Sequence, residues 1–149
     1  MQNYFEQYLG QFLAQVFDKI NENFIRCSFY ELVSRYLSSC YTFAIEQNNS
    51  AGRSDFEMAG IPGTDYYTDD RVVEFKYYRG KDAERMLSLS EPLPEHVEQV
   101  KGYAEDTKRK FPNYNVRTYV VYICSNKGWK CWEAVSYTHL RAHETRGNL

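Results

Sequence analysis

The chain of 149 residues contains few histidines and no closely spaced pair of cysteines. Residues 1–95 contain no histidine, and the three that follow are His96, His139 and His143. A Ser-His-Asp triad or a zinc site built from several histidines would have to use the end of the chain, so both are unexpected. The four cysteines include no C-x-x-C pair, which argues against a zinc knuckle or a dithiol motif.

Long apolar runs and a charge excess are also missing. The longest apolar run, Tyr119 to Cys124, is far shorter than the roughly 20 residues of a membrane helix, and no basic residue precedes Lys19 to begin a signal peptide. A net charge of -2 excludes a basic coat for non-specific nucleic-acid binding. No G-x-x-x-x-G-K-[ST] loop for nucleotide phosphates is present. We therefore expect a cytoplasmic protein with no membrane segment and with reduced thiols.

The order of apolar periods predicts an α/β fold. Helical spacing is found from Phe5 to Phe24 and again over residues 21–38, and a third helix is predicted over 95–111. Alternating or β-branched segments predict strands beginning near residue 41 and over 53–58, 71–78, 117–124 and 129–134. This order favours one mixed sheet with helices on its faces.

Three parts of the chain are distinguished by character. Residues 1–20 are predicted to be the end of an upstream helical region, and residues 21–134 to be one domain. From residue 135 the apolar period stops, and the segment resembles translated sequencing-adapter read-through. We expect 135–149 to be a non-native or disordered tail.

The strongest chemical signal is a predicted hairpin. Positions 55 and 74 lie equally far from a loop centred between Thr64 and Asp65, so antiparallel pairing places Asp55 opposite Glu74. Lys76 points to the same face as Glu74 because side chains alternate along a strand. Two carboxylates this close repel each other unless a proton or a cation lies between them, and Mg²⁺ is the usual cation. A solvated hairpin face would carry the same residue types.

Further candidates come from the helices. Gln99 and Tyr103 lie four residues apart and share one face of the late helix. Glu22 is an acidic candidate on the early helix. A basic strip that includes Lys101 either contacts phosphates or is a solvated helix end.

Together these residues resemble the PD-(D/E)XK nuclease superfamily. The segments Gly52-Arg53-Ser54-Asp55, Glu74-Phe75-Lys76 and Gln99 to Tyr103 match the G-R-x-D, E-x-K and Q-x-x-x-Y elements of its RecB-like branch, in order. The closest resemblance is to the nuclease-like C-terminal domain of bacterial AAA-type ATPase proteins. Ser54 replaces the proline of the superfamily name, and residues 79–94 make a longer link than the family pattern has.

The resemblance implies a restriction-endonuclease-like core and a metal-dependent nuclease acting on DNA. Asp55 and Glu74 would bind Mg²⁺ or Mn²⁺, and Lys76 would position or activate the hydrolytic water. Glu22 and Gln99 would complete the catalytic set. The substrate-binding residues would be Tyr103, Arg53 and Lys101. Such hydrolysis requires neither histidine nor cysteine.

Two other functions stay open at this point. One is a catalytically silent nuclease-fold module that serves a larger ATPase assembly, whose AAA-type ATPase domain is absent from this chain. The other is an interaction domain unrelated to nucleases, in which the hairpin face is only solvated. The direction in which Asp55 and Glu74 point separates the last possibility from the others.

Overall fold

The computed structural model describes residues 2–12, 14–49, 52–134 and 140–145. These residues form helices and strands, which come in alternating groups along the chain. They are α1 (Gln2–Leu9), a 3₁₀ turn (Ala14–Asp18), α2 (Glu22–Leu37), β1 (Tyr41–Asn49), β2 (Gly52–Gly60), β3 (Asp69–Tyr78), α3 (Gly80–Leu87), α4 (Pro94–Lys110), β4 (Asn115–Cys124), β5 (Gly128–Ala134) and β6 (Leu140–Thr145).

The strands form one mixed sheet in the order β1-β2-β3-β4-β5-β6. Neighbouring strands pair antiparallel except β3 and β4, which are parallel. A parallel pair needs a crossover, and α3 and α4 supply it. The predicted α/β class, with one mixed sheet flanked by helices, is confirmed.

The sheet separates two apolar cores. Side chains that alternate along β3 show the division, because Val73 and Phe75 belong to the core beneath α2 while Glu74 points the other way. On the α2 side the core also includes Phe29 and Phe56. On the other side α3 and α4 cover a core that contains Tyr122 and Trp132. Both sheet faces are thus covered by helices, as in a three-layer α/β domain.

Helix α2 begins with an N-cap that orients the site described below. Asn21 has extended backbone angles, and its Oδ1 accepts a hydrogen bond of 2.9 Å from the Phe24 amide. Buried residues then follow at helical spacing: Ile25, Phe29, Leu32 and Val33. This spacing fixes the face of α2 that packs on the sheet, and with it the direction of Glu22 and Arg26.

The first predicted helix is wrong in its length. Helix α1 ends at Leu9, Gly10 follows in a turn, and the 3₁₀ turn over Ala14–Asp18 comes before α2. Glycine in a helix interior costs about 1 kcal/mol relative to alanine, so the chain breaks there with little penalty. The break lets Tyr8 and Leu9 on one segment, and Phe17 beyond it, all become buried.

Other elements differ from expectation near the crossover and the chain end. Residues 80–87, expected to be part of a polar link, form α3. The buried face of α4 includes Tyr103 and Asp106, and Phe111, expected at the end of this helix, lies outside it with 49% of its surface exposed. Residues 140–145, part of the segment expected to be a non-native or disordered tail, pair with β5 as β6, while 135–139 and 146–149 lie outside the described residues. No helix in the described part has the length and apolar character needed to span a membrane.

Candidate active site

The β2–β3 hairpin has the predicted register. Phe56 pairs with Val73 and Glu57 with Val72, so the same register places Asp55 opposite Glu74. Both residues are shielded from solvent, since as whole residues Glu74 is 1% and Asp55 8% exposed. Burial of the two carboxyl groups excludes the solvated hairpin face, because surface carboxylates kept for solubility remain in water.

Both carboxylate oxygens of Asp55 are hydrogen-bonded. Oδ2 accepts the backbone amide of Phe75 at 2.9 Å, which ties the end of β2 to β3. Oδ1 accepts Nη1 of Arg26 from α2 at 2.7 Å. The side chains of Arg26 and Asp55 are only 12% and 11% exposed, so solvent screens this ion pair weakly.

Only one of the two carboxylate oxygens of Glu74 has a hydrogen-bond partner among the described residues. Oε1 accepts Nζ of Lys76 at 2.8 Å, while Oε2 is buried and has no hydrogen-bond partner among the described residues. Burial and the negative charge of Asp55 raise the pKa of Glu74 to about 7, although Lys76 partly opposes them. An oxygen in this position favours a proton or a cation.

Lys76 is held in its charged form. Burial alone would lower the pKa of its ammonium group, but the hydrogen bond and charge of Glu74, together with Glu22 and Asp55, raise the pKa above its ordinary value. The ammonium group is therefore a hydrogen-bond donor at neutral pH. It can hold a water molecule or a phosphate oxygen, but it is poorly suited to accept a proton.

Glu22 approaches the same site from the first turn of α2. Its Oε1 lies 3.4 Å from the Tyr77 amide, and its charge helps to raise the pKa values of Glu74 and Lys76. An open cleft of about 550 Å³ lies beside it. The cleft is lined by α2, the end of β3 and the start of α3, through Ile20, Asn21, Glu22, Asn23, Tyr77, Tyr78, Arg79 and Asp82.

The other predicted residues lie on α4 and at the start of β2. Gln99 donates a hydrogen bond of 2.7 Å to the hydroxyl of Tyr103, one turn later on α4. Tyr103 is buried. Lys101 lines a separate groove of about 280 Å³ beside Thr118 on β4. Position 53 pairs with Asn48 in the β1–β2 ladder, but the side chain of Arg53 lies outside the described residues. Their roles toward the site stay predictions.

Two further side chains near the site were not identified from the sequence. Arg26 could have been found, because it lies four residues after Glu22 and so shares its helix face. His96 is placed by tertiary packing alone: its Nδ1 lies 2.5 Å from the Tyr122 hydroxyl. Burial and then the nearby charge of Lys76 lower the pKa of His96, which favours its neutral form.

The arrangement of oxygen atoms fits a hard divalent cation. The described residues contain no group of three or more His, Cys, Asp or Glu that could hold a metal ion. The buried carboxylates of Asp55 and Glu74 are the pair that could hold one together. Mg²⁺ commonly binds through one or two carboxylates and keeps several waters. The unpartnered Oε2 of Glu74 is the atom that such a cation would satisfy.

A second acidic pair, with Asp70 buried and Glu57 half-buried, lies nearer the turn of the hairpin. Glu57 and Asp70 share a hydrogen bond, and burial, followed by the charge of Glu57, raises the pKa of Asp70 to about 8. Burial also raises the pKa of Glu57, opposed by Asp70 and by Lys110 at the end of α4. Asp69 adds a further negative charge, while the Arg71 amide favours the ionised form. One proton is therefore shared by this pair in the folded chain at neutral pH.

Because of this pair, we expect the free energy of unfolding to decrease as pH rises. Between about pH 4 and pH 8 folded Asp70 keeps its proton while the unfolded chain loses it, so the folded state binds more protons and stability declines as pH rises. We expect Asp70→Asn to remove most of a decline on the order of 3 kcal/mol between pH 5 and pH 8. Urea unfolding at four pH values measures it. The exposed Asp65→Asn should keep the wild-type slope, and an unchanged slope in Asp70→Asn would refute the shared proton.

Comparison with known proteins assigns most of the chain to one family. A family model described as the PD-(D/E)XK nuclease superfamily matches residues 20–133. The matched range includes the hairpin with Asp55 and Glu74, the crossover helices and β5. No curated protein and no solved structure matches the chain.

Proposed function

Because the chain belongs to the PD-(D/E)XK nuclease superfamily, we propose that it hydrolyses phosphodiester bonds in DNA with the help of Mg²⁺ or Mn²⁺. One observation carries the proposal: the hairpin register brings two buried carboxylates, Asp55 and Glu74, close enough for the charge of Asp55 to raise the pKa of Glu74, and a charged lysine, Lys76, contacts Glu74. Nucleases of this superfamily generally use divalent metals. The buried Oε2 of Glu74, which has no hydrogen-bond partner among the described residues, supports a need for a divalent cation in this protein as well.

Each residue of the site has a proposed task. Asp55 and Glu74 would hold the cation, which polarises the phosphoryl group and lowers the pKa of its bound water. Lys76 donates hydrogen bonds to the attacking water or to a phosphate oxygen, and its positive charge offsets the negative charge that develops there. Glu22 would add negative charge on the cleft side of the site, where its Oε1 lies 3.4 Å from the Tyr77 amide.

The nucleic acid is proposed to approach along the cleft beside Glu22. Tyr78 lines this cleft and offers an aromatic face for a base, while Arg79 offers charge for phosphates. Gln99 and Tyr103 orient the α4 side of the site in this proposal. Lys101, together with Arg53 of β2, contacts the backbone farther away.

Cleavage assays with a matched pair of variants test the proposal. Supercoiled plasmid and a labelled single-stranded oligonucleotide are incubated with Mg²⁺, Mn²⁺ or EDTA. We expect metal-dependent cleavage, and we expect Glu74→Gln to lower its rate on the order of 10³-fold. The neutral amide of glutamine lacks the negative charge with which Glu74 would bind the cation. The exposed Glu31→Gln on α2 should cleave like the wild type. Wild-type protein that cleaves neither substrate, or equal cleavage by Glu74→Gln, contradicts the proposal.

A second candidate function is a catalytically silent module of the same fold within a larger ATPase protein. The observation that favours it is the Arg26–Asp55 ion pair, which already neutralises one of the two metal-binding carboxylates. This candidate predicts no divalent-metal binding and an AAA-type ATPase domain as its partner. Both candidates place the protein in the bacterial cytoplasm, where its cysteines would stay reduced. Calorimetry with Mn²⁺ separates the two.

A further inference from the structure

Arg26 occupies the position on Asp55 that a metal ion would need. Its Nη1 lies 2.7 Å from Oδ1, while the other oxygen of Asp55 is held by the Phe75 amide. A Mg²⁺ ion ligated by Oδ1 at its usual distance of about 2.0–2.1 Å would lie within about 6 Å of the guanidinium carbon. The two cations would repel each other strongly in this weakly screened environment.

The guanidinium is held toward the site from its own helix. Nη2 of Arg26 donates to Oδ1 of Asn23 at 3.3 Å, one turn earlier on α2. The capped start of α2 and the buried Phe29 fix the direction of this helix face. Arg26 therefore reaches Asp55 from a rigid support, and only its side chain has to move for the contact to break.

The charges around the site support an exchange of cations. The carboxylates of Asp55, Glu74 and Glu22 carry three negative charges when ionised, and Arg26 and Lys76 supply two positive ones. A divalent cation added to the intact cluster would make it net positive. If Arg26 leaves Asp55, the same cation finds a carboxylate that no other positively charged side chain among the described residues contacts directly.

We propose that Arg26 is the counter-ion of Asp55 in the metal-free protein, and that it leaves Asp55 when a divalent cation binds there. Arg26 is thus a positioning residue that holds the carboxylate ready for the metal and lowers the site's affinity for it. This inference rests on the proposed function, because it assumes a metal at Asp55 and Glu74. If Arg26 leaves when the metal binds, the Arg26–Asp55 ion pair does not prevent catalysis at this site.

Metal titrations on three proteins test the exchange. Mn²⁺ binding to the wild type, Arg26→Met and Arg35→Met is measured by calorimetry without nucleic acid. Arg35 lies on the same helix but pairs with Glu31 in an exposed position, so it serves as the control. We expect Arg26→Met to bind Mn²⁺ about tenfold more tightly than the wild type, and Arg35→Met to match the wild type.

The outcomes distinguish the inference from the proposed function. Equal or weaker Mn²⁺ binding by Arg26→Met, with the wild type binding normally, overturns the exchange and leaves the proposed function standing. Absence of Mn²⁺ binding in all three proteins overturns both. A purely structural ion pair would lower the stability of Arg26→Met without tightening its metal binding.

A measurement on the wild type covers the case in which Arg26→Met fails to fold. Protein labelled with ¹⁵N-arginine is titrated with Mg²⁺, and the guanidinium resonance of Arg26 is followed by NMR. We expect its chemical shift to move toward that of a solvent-exposed arginine as the site fills, while the Arg35 signal stays in place. An Arg26 signal that does not move at saturating Mg²⁺ overturns the proposal.

Discussion

Lys76→Met is expected to lower phosphodiester hydrolysis on the order of 10³-fold. Methionine keeps most of the apolar stem but removes the ammonium group that lies 2.8 Å from Glu74 Oε1. The water or phosphate oxygen then loses its charged donor. Glu74 also loses the interaction that opposes the rise in its pKa, so a larger fraction of it carries a proton at neutral pH. Both effects lower the rate, which single-turnover cleavage of a labelled oligonucleotide measures.

Lys127→Met is the matched control for this variant. Lys127 is a lysine in the β4–β5 turn whose partner, Glu84, lies on the surface of α3. Its replacement should leave the cleavage rate within about twofold, because exposed ion pairs contribute little. Circular dichroism confirms that both variants are folded. A Lys76→Met rate within tenfold of the wild type would exclude Lys76 from the reaction.

The hairpin register could be predicted because it depends on local rules. Alternation along β3 and the centre of the connecting loop determine which residues face each other across the strands. The structure confirms this in the pairing of Phe56 with Val73 and Glu57 with Val72. The same rules place Lys76 on the face of Glu74, where the two side chains form an ion pair.

Burial of the hairpin carboxylates could not be predicted in the same way. Alternation shows that Glu74 and Lys76 share a face, but it does not show whether that face meets water or a helix. The difference arises from α3 and α4, which cover this side of the sheet. Because α3 was not expected in the link after β3, the sequence left the solvated hairpin as an open alternative.

The Arg26 contact is also beyond sequence reasoning. It joins α2 to β2 across 29 positions in the chain, and its existence depends on how the helix lies over the sheet. That placement is set by the aromatic core, in which Phe29 contacts both Phe56 and Phe75. The spacing from Glu22 indicates only the face on which Arg26 lies.

This aromatic core leads to the second large effect. Phe29→Ala is expected to lower the free energy of unfolding by about 3–5 kcal/mol. The ring is fully buried and lies 5.7 Å from Tyr8, 5.3 Å from Phe56 and 5.5 Å from Phe75 between ring centroids. Its removal leaves a cavity between α2 and the sheet and forfeits several edge-to-face contacts at once. Urea unfolding followed by tryptophan fluorescence measures the change.

Tyr36→Ala on the same helix is the control, because Tyr36 is 65% exposed and its loss should cost less than about 1 kcal/mol. The comparison also tests how the core supports the site. Phe75, which contacts Phe29, supplies the amide that holds Asp55, so the cavity should loosen the carboxylate. We therefore expect folded Phe29→Ala to bind Mn²⁺ more weakly than Tyr36→Ala at low temperature. Equal unfolding free energies for the two variants would show that the packing of α2 on the sheet does not hold the domain together.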